Sequence, residues 1–304
     1  MCECNKLYPA LRIGIQLLVI LSLCIASPTC SQKETPTDKI HIVVSILPLA
    51  EFTEKIGGNK VDVSVMIPPG ASPHSYEPRP GQFTRLSKAQ LYVKVGTPIE
   101  FELVWLEKIL STNKDISVCN ASKGIELITT NPDHRPEENR NATGIDPHVW
   151  LSPKNAKVIV ENIYSALITI DPDNQLFYQR NKEQYFSELE SLDQDVTAVL
   201  QKKKDRKFIT YHPAWGYFAK TYNLDQIPVE FEGKSPTAKR LQKLIKQARE
   251  EDIKIIFASP QFNIKSAEVI AKEIQGQVIL IDPLEKEYIA NLKKIVSILD
   301  QAME

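Results

Sequence analysis

Residues 171–204 read DPDNQLFYQRNKEQYFSELESLDQDVTAVLQKKK. Asp171 is a good N-cap. Pro172 is a good first helical residue, because the N–H it lacks would have no helical partner there. Tyr178, Tyr185, Leu189, Leu192, Val196 and Val199 then recur at spacings of three, four or seven, and no Gly or Pro interrupts from Asp173 to Lys204. The pattern predicts one amphipathic helix of about 30 residues, roughly 45 Å long at 1.5 Å per residue. Two shorter helices with a kink are the alternative. A single helix of that length would be a rigid spine between the N-terminal and C-terminal halves of the chain.

On both sides of the spine, apolar β-rich runs alternate with helical periodicity. Ile40 to Ile46, Val61 to Ile67 and Leu91 to Val95 read as strands in the first half. Phe208 to Tyr211, Ile227 to Phe231, Ile253 to Ala258 and Val278 to Ile281 read as strands in the second. Several are almost wholly apolar, which suits sheet covered on both faces. Helical segments such as Thr237 to Glu250 and Ser266 to Ile274 lie between them. The expectation is an α/β fold of two lobes, each with a mainly parallel sheet flanked by helices, joined by the long helix. The lobes are expected over 39–170 and 205–304, with the linking helix over 171–204.

The N-terminus follows other rules. Lys6 and Arg12 precede an apolar run, Ile13 to Ala26, followed by Ser27-Pro28-Thr29-Cys30. A charged region, a short apolar core and a small-residue exit describe an export signal. The run falls short of the roughly 20 apolar residues that a spanning helix needs. Residues 1–30 are therefore read as a signal peptide, with Cys30 where a lipoprotein carries its lipidated cysteine; simple cleavage near Ala26 or Ser27 is the other reading. Residues 31–38, rich in polar residues, read as a flexible tether. The mature protein is expected outside the cytoplasmic membrane.

Composition narrows the partners. The 37 basic residues are matched by 38 acidic ones, and Lys202-Lys203-Lys204 is too short to make a binding face, so no nucleic-acid partner is expected. A monomer is expected. Cys2, Cys4 and Cys24 leave with the signal, which leaves Cys119 alone in the body. An exported chain with one thiol has no internal disulfide and no Cys-based metal site; Cys119 reads as a partly buried structural residue. The Asn-X-Ser/Thr triplets at Asn120 and Asn141 read as chance matches.

Five histidines remain to be weighed. Strand alternation puts His41 on the surface, and His134 lies in the polar loop Thr129 to Thr143. The other three sit in turn-rich, proline-flanked sequence: Ser72-Pro73-His74-Ser75-Tyr76-Glu77-Pro78, Asp146-Pro147-His148-Val149-Trp150 and Tyr211-His212-Pro213-Ala214-Trp215. His74 and His212 directly follow predicted strands, and open α/β sheets bind ligands at the carboxyl ends of their strands. Fixed proline φ angles help hold a ligand in place before its metal arrives. Asp282, in Ile281-Asp282-Pro283-Leu284, also ends a strand; an N-cap for the last helix is its other reading.

These four motifs, in this order, resemble the ZnuA/TroA-type metal-binding proteins of bacterial ABC importers, and the resemblance covers essentially all of residues 40–304. It implies two α/β lobes joined by a rigid helix, with a metal in the cleft held by His74, His148, His212 and Asp282. It implies delivery of that metal to an ABC transporter permease in the membrane. Two features depart from many members. The histidine-rich loop before the second motif is reduced here to His134, and the disulfide of some members is impossible.

Three imidazoles and one carboxylate suit zinc. Manganese, which prefers more oxygen ligands, is the alternative cargo, and more so if Asp282 binds through both oxygens. A zinc-dependent hydrolase is the rival from another class. It would keep an open position for water, and the sequence holds no His-Glu-x-x-His, Gly-x-Ser-x-Gly or phosphate-cradling loop. The chain is therefore not expected to be an enzyme. A surface adhesin built on the same fold is the remaining alternative.

Overall fold

The computed structural model describes residues 39–129, 144–230 and 236–303. The export-signal, tether and His134 readings fall outside them. No helix among the described residues is long and apolar enough to cross a membrane.

The first half builds a four-stranded parallel sheet from β1 (Ile40–Val44), β2 (Val61–Val65), β3 (Leu91–Lys94) and β4 (Ser117–Asn120), in the order β2-β1-β3-β4. The central strands carry the apolar runs. All of β1 except His41 is buried, and so is β3 up to Val93, as expected for strands covered on both faces. Helices α1 (Leu47–Gly57), α2 (Pro80–Leu86) and α3 (Glu100–Thr112) form the connections. Gly58, at φ 53°, ends α1 by returning its N–H to Glu54 O, a left-handed stop that suits glycine.

The second half repeats the plan with β5 (Lys207–Thr210), β6 (Asp225–Pro228), β7 (Ile255–Ala258) and β8 (Gln277–Leu280), in the order β6-β5-β7-β8, again all parallel. Helices α6 (Gly216–Tyr222), α7 (Ala238–Glu250), α8 (Lys265–Glu273) and α9 (Tyr288–Ala302) connect and close it. Alternation divides its strands between two cores. Phe208 and Phe257 face the large core shared with the first half, while Ile209, Ile256 and Ala258 face a smaller one with Ile227, Leu244 and Ile270.

Between the sheets run α4 (Pro153–Ile170) and α5 (Gln175–Leu200). Ser152 caps α4 by accepting from Asn155 N, and Pro153 takes the first helical position. The linking helix is shorter than the sequence pattern predicts: 26 residues, preceded by a separate 3-10 turn at Pro172–Asn174. Asp171 therefore caps no α-helical N–H. Its carboxylate accepts from Asn174 Nδ2 at 2.8 Å and from Tyr178 OH at 2.5 Å. The buried stripe of α5 is Tyr178, Tyr185, Leu189, Leu192, Val196 and Leu200, and the helix packs against α1, α4 and α9 at once. Each buried leucine or valine of the stripe contributes roughly 1.5–3 kcal/mol.

Two further differences concern edge strands. β4 escapes the sequence pattern because it is four residues of mixed character with Val118 exposed. β6 lies about two residues before its apolar run. Its polar start, Asp225-Gln226, pairs with Lys207 and Phe208, and Pro228 ends it, as an edge strand permits.

Candidate metal centre

Both sheets reverse their strand order next to the central pair, β1/β3 in one and β5/β7 in the other. Such a reversal opens a crevice at the carboxyl ends of the strands. His74 comes from the turn after β2. Ser75 and Tyr76 donate their N–H groups to Ser72 O, and Pro73 O accepts from Phe101 N at 3.1 Å, which ties this loop to α3. His148 precedes the 3-10 turn Val149–Leu151 that leads into α4. His212 lies two residues beyond the end of β5, and its carbonyl accepts from Ala214 N at 2.9 Å. His148 and His212 are buried and His74 half-buried.

The three rings converge. Nε2 of His212 lies 3.2 Å from Nε2 of His74 and 3.2 Å from Nε2 of His148. One nitrogen from each ring falls within 4.8 Å of the other two. Two nitrogen ligands at about 2.0–2.1 Å from a tetrahedral ion stand about 3.3 Å apart, so the spacing fits one shared cation. The cavity the three rings share is small, about 20 Å³, and is lined also by Ile99, Trp150, Phe262 and Leu284. That volume suits a single ion or water. A larger cleft of about 420 Å³ opens at the amino ends of β5 and β7. Lys207 with Glu251 and Lys254 with Asp252 pair off within it, and the fold places no switch-point crevice there.

Behind each imidazole stands a carboxylate. His74 Nδ1 lies 2.7 Å from Glu100 Oε2, and His148 Nδ1–H donates to Asp146 Oδ1 at 2.8 Å. His212 Nδ1–H donates to Glu230 Oε1, and both of these side chains are buried. For His148 and His212, the carboxylate that accepts from Nδ1 fixes the tautomer, turns the Nε2 lone pair toward the shared point and raises its basicity. Asp146 is itself held tightly. Its Oδ1 also accepts from His148 N at 2.9 Å, and Tyr217 OH donates to its carbonyl at 3.1 Å. Gly216 leaves room for it: a Cβ there would stand 2.2 Å from Asp146 Oδ2.

Burial first, then the charges of His148 and His74, hold the His212 imidazole well below its ordinary value. It is thus neutral and able to offer a lone pair at neutral pH. Burial acts to raise the Glu100 carboxyl, but its contact with His74 and the charge of that ring outweigh burial and leave it lowered.

Of the four residues picked out in the sequence, the structure brings together His74, His148 and His212. Asp282 is not within this cluster. It follows β8, and its Oδ1 accepts from Gln261 Nε2 at 2.7 Å and from Leu284 N at 2.8 Å. The next two residues, Pro283 and Leu284, do line the cavity. His41 is an exposed strand residue that pairs with Asp62 at 3.1 Å. Cys119 is buried on β4, where burial pushes its thiol up to about 12.

The sequence pattern does not single out the three carboxylates. Asp146 carried a usable signal: in Asp-Pro-His, an acid two residues before the histidine closes an Asx turn onto that residue's N–H. Glu100 looks like any acid in the first turn of a helix, and Glu230 like any polar residue after a strand.

Two parallel sheets joined by a long helix, with imidazoles gathered at their carboxyl edges, define the helix-linked class of metal-binding transport proteins. The profile of the ZnuA family, described as zinc-uptake complex component A, periplasmic, matches residues 42–302. The chain belongs to that family. The high-affinity zinc uptake system protein ZnuA of Bacillus subtilis (strain 168) is 32% identical over 286 residues, covering 92% of this chain and 89% of that protein. A crystal structure of a ZnuA deletion mutant with zinc bound superposes with a TM-score of 0.81 at 41% identity, covering 87% of this chain and 98% of that one. The zinc-binding lipoprotein AdcA of Streptococcus pneumoniae (strain ATCC BAA-255 / R6) is 28% identical over 277 residues; the match covers 88% of this chain but only 55% of AdcA. These relatives are uptake and binding proteins, and the chain stands with them and not with enzymes.

Proposed function

We propose that this protein captures a single zinc ion outside the cytoplasmic membrane and passes it to the permease of an ABC importer. The ligands are Nε2 of His74, His148 and His212, with Asp282 completing the set. The observation that carries this reading is the pair of 3.2 Å separations between imidazole nitrogens, each ring backed by a carboxylate. Three neutral imidazoles favour zinc, since manganese takes more oxygen and stands lowest in the divalent affinity series. Cys30 would carry the lipid that keeps the protein at the membrane face.

The test is metal content after purification without added metal, followed by competition between zinc and manganese. Zinc is expected at one equivalent and in preference to manganese. His148→Ala and His212→Ala are each expected to abolish tight binding, because they come from opposite sides of the central helix. Unchanged zinc affinity in His212→Ala, or preference for manganese, would overturn the assignment.

A further inference from the structure

Asp282 is the one proposed ligand whose carboxylate is already engaged. Gln261 Nε2 and the Leu284 backbone N–H both donate to it, at 2.7 Å and 2.8 Å, and both bonds fall on Oδ1. A carboxylate can only accept, so the glutamine must turn its NH₂ group toward it; the amide has no choice of orientation. The cost is visible at the other end of the side chain, where Gln261 Oε1 is buried without a hydrogen-bond partner among the described residues. Buried acceptors are seldom left this way.

The loop that carries Gln261 is held in place beside the histidines. Phe262 N donates to Ser259 O at 3.2 Å. The Phe262 ring stacks on the His212 imidazole, with centroids 4.5 Å apart and planes 23° apart. Gln261 and Phe262 both line the cavity. The glutamine is therefore fixed relative to the imidazoles as well as to Asp282.

We propose that Gln261 sets the coordination number of the bound cation. By holding Oδ1, it limits Asp282 to at most one oxygen at the metal, so the site closes at four ligands. A freed carboxylate could bind through both oxygens and raise the number to five. Four-coordination with nitrogen-rich ligands suits zinc; added oxygen moves the site toward manganese. Gln261 is thus a positioning residue for metal choice, acting through Asp282. This inference rests on the three-imidazole reading above.

The experiment uses the whole protein loaded with Co²⁺ as a spectroscopic probe, together with zinc and manganese affinities. Cobalt absorbs strongly in the visible when four-coordinate and weakly at higher coordination. The unmodified protein is expected to give the intense band. Gln261→Met keeps the shape and removes the donor. It is expected to weaken the band and to cut the zinc-to-manganese affinity ratio by about tenfold, within the range typical of groups that orient metal ligands. Gln261→Leu replaces it if the methionine variant does not fold. With Asp282→Ala as background, Gln261→Met should change neither quantity. A native spectrum and ratio in Gln261→Met would overturn the proposal, as would an equal effect with Asp282 absent. Failure of the underlying reading looks different: zinc binding would then survive His212→Ala, whatever stands at 261.

Discussion

Replacing Asp146 by Asn tests whether the carboxylates behind the imidazoles tune the site or merely fill space. The amide keeps the shape, and its oxygen can still accept from His148 Nδ1–H and His148 N, which now lie at 2.8 and 2.9 Å. What it lacks is charge. A hydrogen bond to a charged group contributes about 1.5–3 kcal/mol net against about 0.5–1.5 for a neutral pair, so the ring bond loses about 1–1.5 kcal/mol. The bond is already made without metal, so only the part that strengthens when Nε2 takes the dication counts toward affinity; at 1.4 kcal/mol per factor of ten that is at most about tenfold. The lost attraction between carboxylate and dication acts in the same direction, so the expected weakening is about 10- to 100-fold. The assay is competition against a chromophoric zinc chelator near neutral pH, with a thermal melt of the metal-free variant to establish that it is folded. Gly216→Ala is an independent route to the same end, because its Cβ would meet Asp146 Oδ2 at 2.2 Å and displace it. A folded Asp146→Asn protein that binds zinc within about twofold of the original would refute the reasoning, since an outer partner costs at least tenfold where it tunes the ligand.

Acidification should destabilise the metal-free protein. His212 is held well below its ordinary 6.5 in the fold, so below that pH the unfolded chain takes up a proton that the folded chain refuses; the stability is fully present above about 6.5 and is lost as pH falls. Urea midpoints at neutral and mildly acid pH should separate more for the native protein than for His212→Gln, and an equal separation would contradict this. In the core, Tyr185 OH donates to the buried Glu51 at 2.9 Å, and Glu51 is raised chiefly by that burial. Tyr185→Phe should lower stability by about 1–3 kcal/mol with an unchanged urea slope, and a loss below about 0.5 kcal/mol would mean that Glu51 finds another donor.

Much of the architecture was legible because apolar runs bounded by Pro and Gly mark the central strands directly. The edges were not. β4 has only Val118 and Cys119 to announce it, and the first two residues of β6 are polar because its outer side has no partner strand. The start of α5 was misplaced for a local reason. Asp171 and Pro172 look like a helix start, yet the Asp171 carboxylate serves Tyr178 OH and Asn174, and the turn closes as 3-10 before the α-helix begins. The three histidines stood out because loops seldom place proline beside histidine three times over. Glu100, Asp146 and Glu230 did not, because a carboxylate meets its imidazole only through the folded geometry, 26 residues away in sequence for Glu100 and 18 for Glu230. The engagement of Asp282 by Gln261 was hidden in the same way.

The position of α5 has a consequence for how the molecule comes apart. The apolar stripe of this one helix is covered from the first half by α1 and α4 and from the second by α9, and one continuous set of buried side chains runs from Ile42 through Tyr185 to Leu292 and Phe257. Neither half can finish its own interior without the other. Severing the backbone near Gln201 would leave two sticky fragments instead of two modules, and heating should produce a single melting event in which damage to either half is felt by the whole.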